Sequence, residues 1–338
     1  MMATTRIRAA AAATALATAA ATALWAGGAT AQDGDELTPV SFRLDWRAGA
    51  QHAPFYLGAS EGFYAEEGID LEIISGSGSS DAVKQLGSGA IEMALVDALV
   101  MVQAVSQEVP VQAVGAYYQR SPIVVMSPEE DPVTSVDQLL GDVKLGSKKG
   151  SATYQGLIAL LGANDLALED VTLVDIGFGV QPLLVGQVDA MMGFAMNEPI
   201  EASTAGMPVT VMSIADAGVD TYGLTLASNA DFMAEHGDVV EGFVAATKRA
   251  IEATKADHAA AVAALDAAVA EIDTEREMAV LEATLPYWES ADTAEAGVLA
   301  QTGAHWQQTA EIAAALGLVD AAPPADALYT GAFLTASE

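Results

Sequence analysis

Residues 41–74 read SFRLDWRAGAQHAPFYLGASEGFYAEEGIDLEII, and this stretch decides the fold class. Apolar residues form a short strand-like run over 41–46, recur at helical spacing over 54–67 and form a second such run over 70–74. Gly68 marks the end of the helical pattern. The stretch therefore predicts a strand, a helix and a second strand, which is the repeating unit of a sheet covered by helices.

The same rhythm continues along the chain. Further strands are predicted at 93–96, 111–116, 123–126, 143–146, 171–176, 190–194, 209–213 and 222–227. Helices are predicted at 79–86, 99–107, 153–161, 180–186, 238–270, 274–282 and 293–316. The alternation predicts an α/β protein with parallel sheets. We expect lobe 1, with the C-terminal helices, to comprise 39–128 and 222–338, and lobe 2 to comprise 129–221, with crossings near 128–132 and 220–222.

The first 31 residues have the pattern of an export signal. Arg6 and Arg8 precede an uncharged run of mostly Ala, Thr and Leu over 9–26, and Ala29-Thr30-Ala31 fits the small-x-small cleavage rule. An uncleaved membrane anchor is the alternative, but the Ala and Thr content makes the run weakly hydrophobic for a stable span. We therefore expect a signal peptide over 1–31, cleaved near Ala31.

Composition excludes several classes of function. The 338 residues include 46 Asp and Glu against 13 Lys and Arg, a formal net charge of −33. This charge argues against binding to nucleic acid, whose phosphates would repel the protein, and against an anionic membrane surface. The chain has no cysteine, so disulfides, thiolate metal sites and thiol nucleophiles are all excluded.

Motifs for catalysis or metal binding are absent from the sequence. The four histidines, at positions 52, 236, 258 and 305, have no metal-ligand spacing. Two glycine-serine segments do follow a predicted strand and open a predicted helix, at 76–81 and at 150–154, the second preceded by Lys148 and Lys149. Such openings aim backbone N–H groups at a small polar ligand, or are ordinary helix caps. One in each lobe favours the ligand interpretation.

Aromatic and ionisable residues gather where predicted strands end. In open α/β sheets, ligands bind outside the carboxyl ends of the strands. An aromatic wall with one or two carboxylates suits a flat molecule rich in nitrogen, since an indole stacks on the ring and carboxylates accept hydrogen bonds from ring amino groups. The residues at these strand ends are Asp45, Trp46, His52, Asp97, Tyr117, Tyr118, Phe178 and Glu198.

Six short motifs stand out along the chain: LDW at 44–46, QHAPFY at 51–56, EGFYAEEGID at 61–70, QLGSG at 85–89, GQVDA at 186–190 and NEP at 197–199. In order and spacing they resemble those of the family of ABC-transporter solute-binding proteins for thiamine pyrimidine precursors, sulfonates, taurine and nitrate. The resemblance covers roughly residues 42–243.

The resemblance implies a two-lobed type II periplasmic binding protein fold with a ligand cleft between the lobes. It implies a periplasmic receptor, with no cofactor and no catalytic or metal-binding residues, that captures a small molecule and delivers it to an ABC transporter permease. We expect a monomer with a thiamine-pyrimidine-precursor-like ligand. The expected ligand-binding residues are Asp45, Trp46, His52, Tyr56, Ser79, Asp97, Tyr117, Thr153, Tyr154, Phe178, Glu198 and Tyr222.

In pyrimidine-binding members, the resemblance gives Trp46 the role of the aromatic wall and places Glu198 against the aminopyrimidine edge. His52 falls at a histidine that takes part in chemistry in a eukaryotic relative, which builds the pyrimidine with an iron-bound cysteine cluster. Because this chain has no cysteine, we expect His52 to be a hydrogen-bonding or structural group and the protein not to be such an enzyme.

Two alternatives remain open from the sequence. The same fold could bind riboflavin, or an anion such as an alkanesulfonate, taurine or nitrate. Anion binding would use helix N-termini and an arginine, for which Arg47 and Arg120 are the candidates. The second, less favoured alternative is an enzyme that assembles the pyrimidine.

Overall fold

A computed structural model describes residues 37–334, which contain ten strands. The predicted signal peptide lies outside the described residues. The strands are β1 (Thr38–Arg43), β2 (Ile69–Ile74), β3 (Met93–Asp97), β4 (Val111–Ala116), β5 (Ile123–Pro128), β6 (Lys144–Ser147), β7 (Thr172–Asp175), β8 (Ala190–Phe194), β9 (Val209–Ser213) and β10 (Leu224–Asn229).

The strands form two five-stranded sheets, one in each lobe. Lobe 1 has the order β2-β1-β3-β10-β4, and lobe 2 has the order β7-β6-β8-β5-β9. The α/β class and the two-lobed arrangement are as predicted, but the expectation of parallel sheets is wrong in one strand of each. In lobe 1, β10 is antiparallel to β3 and β4, and in lobe 2, β5 is antiparallel to β8 and β9. Each of these antiparallel strands is the first strand after the chain crosses from the other lobe.

The two crossings lie side by side. Tyr118 N–H donates to the Leu224 carbonyl at 2.8 Å, and Ser121 N–H donates to the Thr221 carbonyl at 2.9 Å. The second crossing falls between β9 and β10, a range that contains the predicted segment 220–222. The first falls between β4 and β5, and not at 128–132, because β5 pairs with β8 and β9 in lobe 2. The prolines at 128 and 132 follow that strand and do not mark the lobe boundary.

Fourteen α-helices cover the sheets within residues 37–334. They are α1 (Ala53–Ser60), α2 (Phe63–Glu66), α3 (Ser79–Gly87), α4 (Ala98–Ser106), α5 (Ala152–Gly162), α6 (Gln181–Leu184), α7 (Glu198–Thr204), α8 (Ala230–Glu235), α9 (Gly237–Ala256), α10 (His258–Ala268), α11 (Thr274–Thr284), α12 (Ala291–Ala296), α13 (Gly303–Ala315) and α14 (Ala325–Leu328). Short 3-10 helices occur at Ala50–His52, Val136–Leu139, Leu168–Asp170 and Leu285–Trp288.

Several predicted helices are divided in the structure. The helix predicted at 54–67 breaks into α1 and α2 at Gly62, whose φ of 79° lies in the left-handed region that glycine tolerates. The helix predicted at 238–270 breaks into α9 and α10 at Asp257, whose side chain accepts a hydrogen bond from Ala260 N–H at 2.9 Å. The one predicted at 293–316 becomes α12 and α13. Helix α7 was not predicted, since it has only seven residues.

The helices that follow β10 pack mainly against lobe 1. Phe243 on α9 packs against Phe42 of β1 with tilted rings, whose centroids are 5.2 Å apart, and the hydroxyl oxygens of Tyr64 on α2 and Thr247 on α9 are hydrogen-bonded at 3.0 Å. Between residues 37 and 334, no helix has the length and apolarity needed to cross a bilayer.

Candidate functional site

A cavity lies between the lobes at the carboxyl ends of β1, β6, β7 and β8. Its open volume, including space continuous with solvent, is about 590 Å³. Lobe 1 contributes Asp45, Trp46, Gln51 and Ser79. Lobe 2 contributes Lys148, Ser151, Ala152, Thr153, Ile176, Gly177, Gly179, Met191, Met192, Phe194, Asn197 and Glu198.

An aromatic pair bridges the two lobes at this cavity. Trp46 follows β1 and Phe178 follows β7, and their rings meet edge to face with centroids 4.5 Å apart. The Lys148 ammonium lies 5.9 Å from the Trp46 ring centroid and 5.3 Å from that of Phe178. Trp46 is half-buried and lines the cavity, so its indole is available to a flat ligand.

Asp45 and His52 form a buried pair beside the indole. The His52 imidazole is fully buried and its Nε2 lies 2.9 Å from Asp45 Oδ1. Asp45 lines the cavity, whereas His52 does not. The contact with His52 therefore fixes the orientation of the Asp45 carboxyl group.

Glu198 brings a second carboxyl group to the cavity, from lobe 2. It opens α7, followed by Pro199 in the first turn, and its Oε2 accepts a hydrogen bond from Phe194 N–H at 2.7 Å. Burial raises the pKa of Glu198 to about 7, and the negative charges of Glu201 and Asp45 act in the same direction. Near neutral pH this carboxyl group can either accept or donate a hydrogen bond.

The two predicted glycine-serine loops meet across the cleft. Ser80 N–H of lobe 1 donates to the Gly150 carbonyl of lobe 2 at 3.4 Å. At Gly78, which has a φ of 137°, an added Cβ would lie 2.7 Å from the same carbonyl oxygen, so only glycine permits this approach. Ser79 and Thr153, one from each loop, both line the cavity, which places two of the predicted residues together.

The remaining predicted residues lie elsewhere. Tyr117 is buried and donates its hydroxyl hydrogen to the Gln51 carbonyl at 2.7 Å. Tyr222 is buried under the rings of His305 and Trp306, and its hydroxyl accepts from Thr302 N–H at 3.0 Å. Both differ from expectation, because segments distant in sequence cover these strand ends. Tyr154 is half-buried outside the cavity lining, and Tyr56 and Phe178 also lie outside it.

Asp97 is a helix cap and not a cavity residue. Its Oδ1 accepts a hydrogen bond from Leu99 N–H at 3.0 Å at the start of α4, and its backbone N–H donates to Ser79 Oγ at 3.2 Å. The first turn of α4 thus uses the carboxylate that we expected to face the ligand. Burial raises the pKa of Asp97 to about 7.

Replacing Asp97 by asparagine is expected to stabilise the ligand-free protein at pH 8 by a few degrees in Tm. Since burial raises the pKa of Asp97 above its unfolded value, the carboxyl group costs stability progressively as pH rises from about 4 to about 7, and the full cost is present above that. Asparagine keeps an acceptor for Leu99 N–H without a charge. The advantage of Asp97→Asn over the parent should therefore grow between pH 4.5 and pH 8.

Asp257 offers a matched control, because it also caps a helix but is exposed. The Asp257→Asn variant should differ from the parent in Tm by a similar amount at both pH values. A Tm advantage of Asp97→Asn that is the same at pH 4.5 and pH 8, or a loss of stability at pH 8, would contradict the assignment.

The structure also adds residues that the sequence did not single out as ligand-binding. Lys148 and Ser151 belong to a loop that the sequence marked, and Gln51 and Asn197 belong to quoted motifs, so a signal existed for these four. No feature of the sequence marked the other lining residues, such as Met191 and Met192 in β8, as ligand-binding. Lys148 is the only cationic side chain that lines this cavity within the described chain.

A second cavity adjoins the first. Its open volume is about 1440 Å³, again including space continuous with solvent. Lobe 1 provides most of its lining, through the segment after β1, the end of β2, and the turn between α10 and α11. The lining comprises Trp46, Arg47, Ala48, Gly49, Gln51, Tyr56, Ile73, Ser75, Gly179, Asn197, Glu198, Glu201, Ala268, Val269, Ala270, Glu271, Ile272, Arg276 and Glu277.

The two arginines considered for anion binding are in different places. Arg120 is an exposed side chain paired with Asp216 at 2.7 Å and Asp220 at 3.0 Å, and it lines neither cavity. Arg47 lines the second cavity, with its guanidinium carbon 5.0 Å from the Phe178 ring centroid. Among the described residues, no group of three or more His, Asp or Glu side chains is placed to hold a metal ion.

Two α/β lobes, two adjacent crossings and a cavity between the lobes define the periplasmic binding protein fold. Solved structures share it: the alkanesulfonate-binding protein SsuA of Xanthomonas axonopodis pv. citri, bound to MOPS, matches with a TM-score of 0.67 at 17% identity, over 87% of this chain and 99% of that chain. The family model described as NMT1/THI5 like matches residues 49–261. The chain belongs to this family, as the sequence motifs indicated.

Named relatives include both binding proteins and enzymes. The riboflavin-binding protein RibY of Chloroflexus aurantiacus is 28% identical over 308 residues, 88% of this chain and 86% of its own. The formylaminopyrimidine-binding protein of Halalkalibacterium halodurans is 30% identical over 227 residues, 66% of this chain and 68% of its own. A 4-amino-5-hydroxymethyl-2-methylpyrimidine phosphate synthase of Aspergillus parasiticus is 25% identical over 236 residues, covering 66% of this chain and 68% of its own.

Proposed function

We propose that the protein is the solute-binding component of an ABC importer and captures a small, flat nitrogen heterocycle, such as an aminopyrimidine, between its lobes. The observation that carries the proposal is the cavity between the lobes, which has the Trp46 indole on one side and carboxyl groups from both lobes, Asp45 and Glu198. An indole suits a flat ring, and two carboxyl groups suit ring amino groups.

The charge of the cavity supports a neutral or cationic solute over an anion. Two carboxylates, Asp45 and Glu198, are set against a single ammonium, Lys148. A sulfonate or nitrate would meet net negative charge, and the Arg120 guanidinium is already paired with two aspartates on the surface. The relatives named for formylaminopyrimidine and for riboflavin both bind flat nitrogen heterocycles according to their names.

The proposed mechanism of solute capture depends on ligand contacts from both lobes. Trp46 and Glu198 can contact one ligand together only when the lobes are closed, so the solute binds the closed form better and shifts the population towards it. Within residues 37–334, the polypeptide chain passes from one lobe to the other only at the two crossing segments. Closure of the lobes would bend the chain at these segments. A permease that recognises the closed form would then receive loaded protein.

The remaining features of the proposal follow from the same role. We assign no reaction to the chain: His52, which by the family resemblance falls at a histidine that takes part in chemistry in a eukaryotic relative, is fully buried against Asp45 outside the cavity lining. We propose export through a signal peptide over 1–31 and action as a monomer in the periplasm, with a membrane permease as partner.

A thermal-shift screen tests this proposal. The purified protein is melted with aminopyrimidines, thiamine, riboflavin, taurine, alkanesulfonates and nitrate. Ligand at about a hundred times its Kd adds about 2.7 kcal/mol to the free energy of unfolding, which raises Tm by several degrees. We expect heterocycles to raise Tm and anions not to. A rise with sulfonates or nitrate alone would overturn the heterocycle assignment.

A further inference from the structure

We propose that Gly193 in β8 is a positioning residue for recognition of the solute, because the absence of a side chain there allows the Glu198 carboxyl group to lie against the strand in the wall of the cavity. Gly193 itself lines neither cavity, so it acts through Glu198. The inference rests on the proposed function, in which Glu198 accepts hydrogen bonds from the solute, and adds the residue that sets the position of this carboxyl group.

Glycine at position 193 needs a physical reason. Gly193 is buried in the central strand of the lobe 2 sheet, where it pairs with Val124 of β5. Glycine inside a strand weakens it, because glycine is flexible in the unfolded chain and has no side chain to pack. The φ angle of Gly193 is not positive, so the backbone conformation does not require glycine there. The requirement is therefore for space.

The space beside Gly193 is occupied by Glu198. A Cβ atom added at position 193 would lie 2.9 Å from Glu198 Cβ, 3.1 Å from its Oε2 and 3.2 Å from its Cγ, and these are its three nearest atoms outside the adjoining residues of the chain. Carbon atoms that are not bonded to each other pack at about 3.5–4.0 Å. Alanine at position 193 would therefore displace Glu198, because all three atoms belong to that side chain.

The position of the Glu198 carboxyl group depends on this close approach. Its Oε2 accepts a hydrogen bond at 2.7 Å from the N–H of Phe194, the residue after Gly193 in β8. Glu198 is only 8% exposed, and this burial raises its pKa to about 7. A methyl group at position 193 would move the carboxyl group away from Phe194 N–H and towards the open part of the cleft, where water reaches it.

The charges around Glu198 would not change with Gly193. The charged residues that line a cavity together with Glu198 are Asp45, Arg47, Lys148, Glu201, Glu271, Arg276 and Glu277. Of these, Glu201 and Asp45 raise the pKa of Glu198 by charge repulsion. Because a substitution at Gly193 leaves all of these residues in place, a change in the pKa of Glu198 would report a change in the position of its carboxyl group.

Carbon-13 NMR titration of the glutamate carboxyl groups in the ligand-free protein tests the proposal. The signal of Glu198 is the one that titrates near pH 7 in the parent and is missing from Glu198→Gln. In Gly193→Ala its pKa is expected to fall by about one pH unit or more, because the displaced carboxyl group is better hydrated. An unchanged or higher pKa would overturn the proposal.

Gly115 in β4 provides the matched control. It is also a buried glycine in a strand, a Cβ added there would lie 3.1 Å from Leu299 Cβ, and neither residue lines a cavity. Gly115→Ala introduces similar crowding in lobe 1, so it should leave the pKa of Glu198 at the parent value.

A second pair of variants keeps the test decisive if Gly193→Ala folds poorly. The crowding involves only atoms of the Glu198 side chain, so Glu198→Gly should relieve it. Gly193→Ala is expected to lower Tm by several degrees in the parent and by much less in the Glu198→Gly background. Equal losses of Tm in the two backgrounds would show that Gly193 does not make room for Glu198.

Binding experiments measure the consequence for the solute. The probes are 4-aminopyrimidine and 4-methylpyrimidine, so the ratio of their Kd values reports recognition of the amino group. At pH 8, Gly193→Ala is expected to reduce the preference for 4-aminopyrimidine about tenfold, the scale of one charge-assisted hydrogen bond. Gly115→Ala should retain the parent preference, and a retained preference in folded Gly193→Ala would contradict the positioning role.

The outcomes also separate this inference from the proposed function. Failure of heterocycles to bind the parent protein would reject the proposed function, whereas the NMR titration, which needs no ligand, would still decide whether Gly193 positions the Glu198 carboxyl group. Binding of aminopyrimidines together with an unchanged pKa of Glu198 in Gly193→Ala would reject the role of Gly193 alone.

Discussion

Replacing Trp46 by alanine is expected to weaken heterocycle binding about 30-fold or more without unfolding the protein. The indole is half-buried, lines the cavity and meets Phe178 across the cleft with ring centroids 4.5 Å apart. Loss of a tryptophan that both contacts the ligand and bridges the lobes removes about 2 kcal/mol of binding free energy, in the range of hot-spot residues. Calorimetric titration with the best heterocycle from the thermal-shift screen measures the change in Kd.

Phe63 provides the control for Trp46. It is also half-buried, but its ring lies under the Arg249 guanidinium, 4.4 Å from centroid to carbon, and it lines neither cavity. Phe63→Ala should keep the parent Kd, and Trp46→Phe should recover part of what Trp46→Ala loses. Parent-like affinity in Trp46→Ala would remove the indole from the ligand site.

Replacing Glu198 by glutamine is expected to weaken binding of amino-heterocycles about tenfold at pH 8. Burial raises the pKa of Glu198 to about 7, so at pH 8 the parent carboxylate is mostly ionised and accepts hydrogen bonds from ring amino groups. Glutamine keeps one acceptor, which Phe194 N–H already uses in the parent at 2.7 Å, and presents an amide donor to the ligand. A tenfold loss corresponds to about 1.4 kcal/mol, the scale of one charge-assisted hydrogen bond.

The pH dependence gives this prediction its direction. Because the pKa of Glu198 is about 7, the parent carboxyl group becomes protonated as pH falls below 7, and parent affinity should fall with it. The gap between parent and Glu198→Gln should therefore narrow from pH 8 to pH 6. Comparison of the two proteins cancels titration of the ligand itself.

Glu295 is suited as a control for this carboxylate. It is an exposed glutamate on α12 and lines neither cavity, so Glu295→Gln should bind like the parent at both pH values. The ratio of the Kd of Glu198→Gln to the Kd of the parent should therefore change between pH 6 and pH 8. A constant ratio would show that protonation of the Glu198 carboxyl group does not affect ligand binding.

The order of strands and helices follows from the sequence because the burial pattern of a single element is local. Apolar residues recur with a period of two along β1 and β2 and with helical spacing along α1. Predicting these elements therefore requires no information from elsewhere in the chain. The breaks at Gly62 and Asp257 were not predicted. Helices whose apolar faces continue across a break differ little in pattern from uninterrupted ones.

The directions of β5 and β10 depend on pairing between distant segments. β10 enters a sheet whose other strands, β1 to β4, come from the N-terminal part of the described chain. β5 pairs with β8 and β9, and not with β6, the strand that follows it in sequence. The residues of β5 do not indicate which lobe the strand joins. For that reason the predicted position of the first crossing, 128–132, is some ten residues too late.

The candidate site divides in the same way. The sequence by itself determined the family, the two lobes and the residue types at the strand ends, among them Asp45, Trp46 and Glu198, because these depend on motifs and on the local period of burial. Only the tertiary structure decided which strand-end side chains face the cavity: α4 takes Asp97 as its cap, and Trp306 of α13 covers Tyr222 from 84 positions further along the chain. Packing between distant segments sets what remains exposed, and that is a property of the folded chain as a whole.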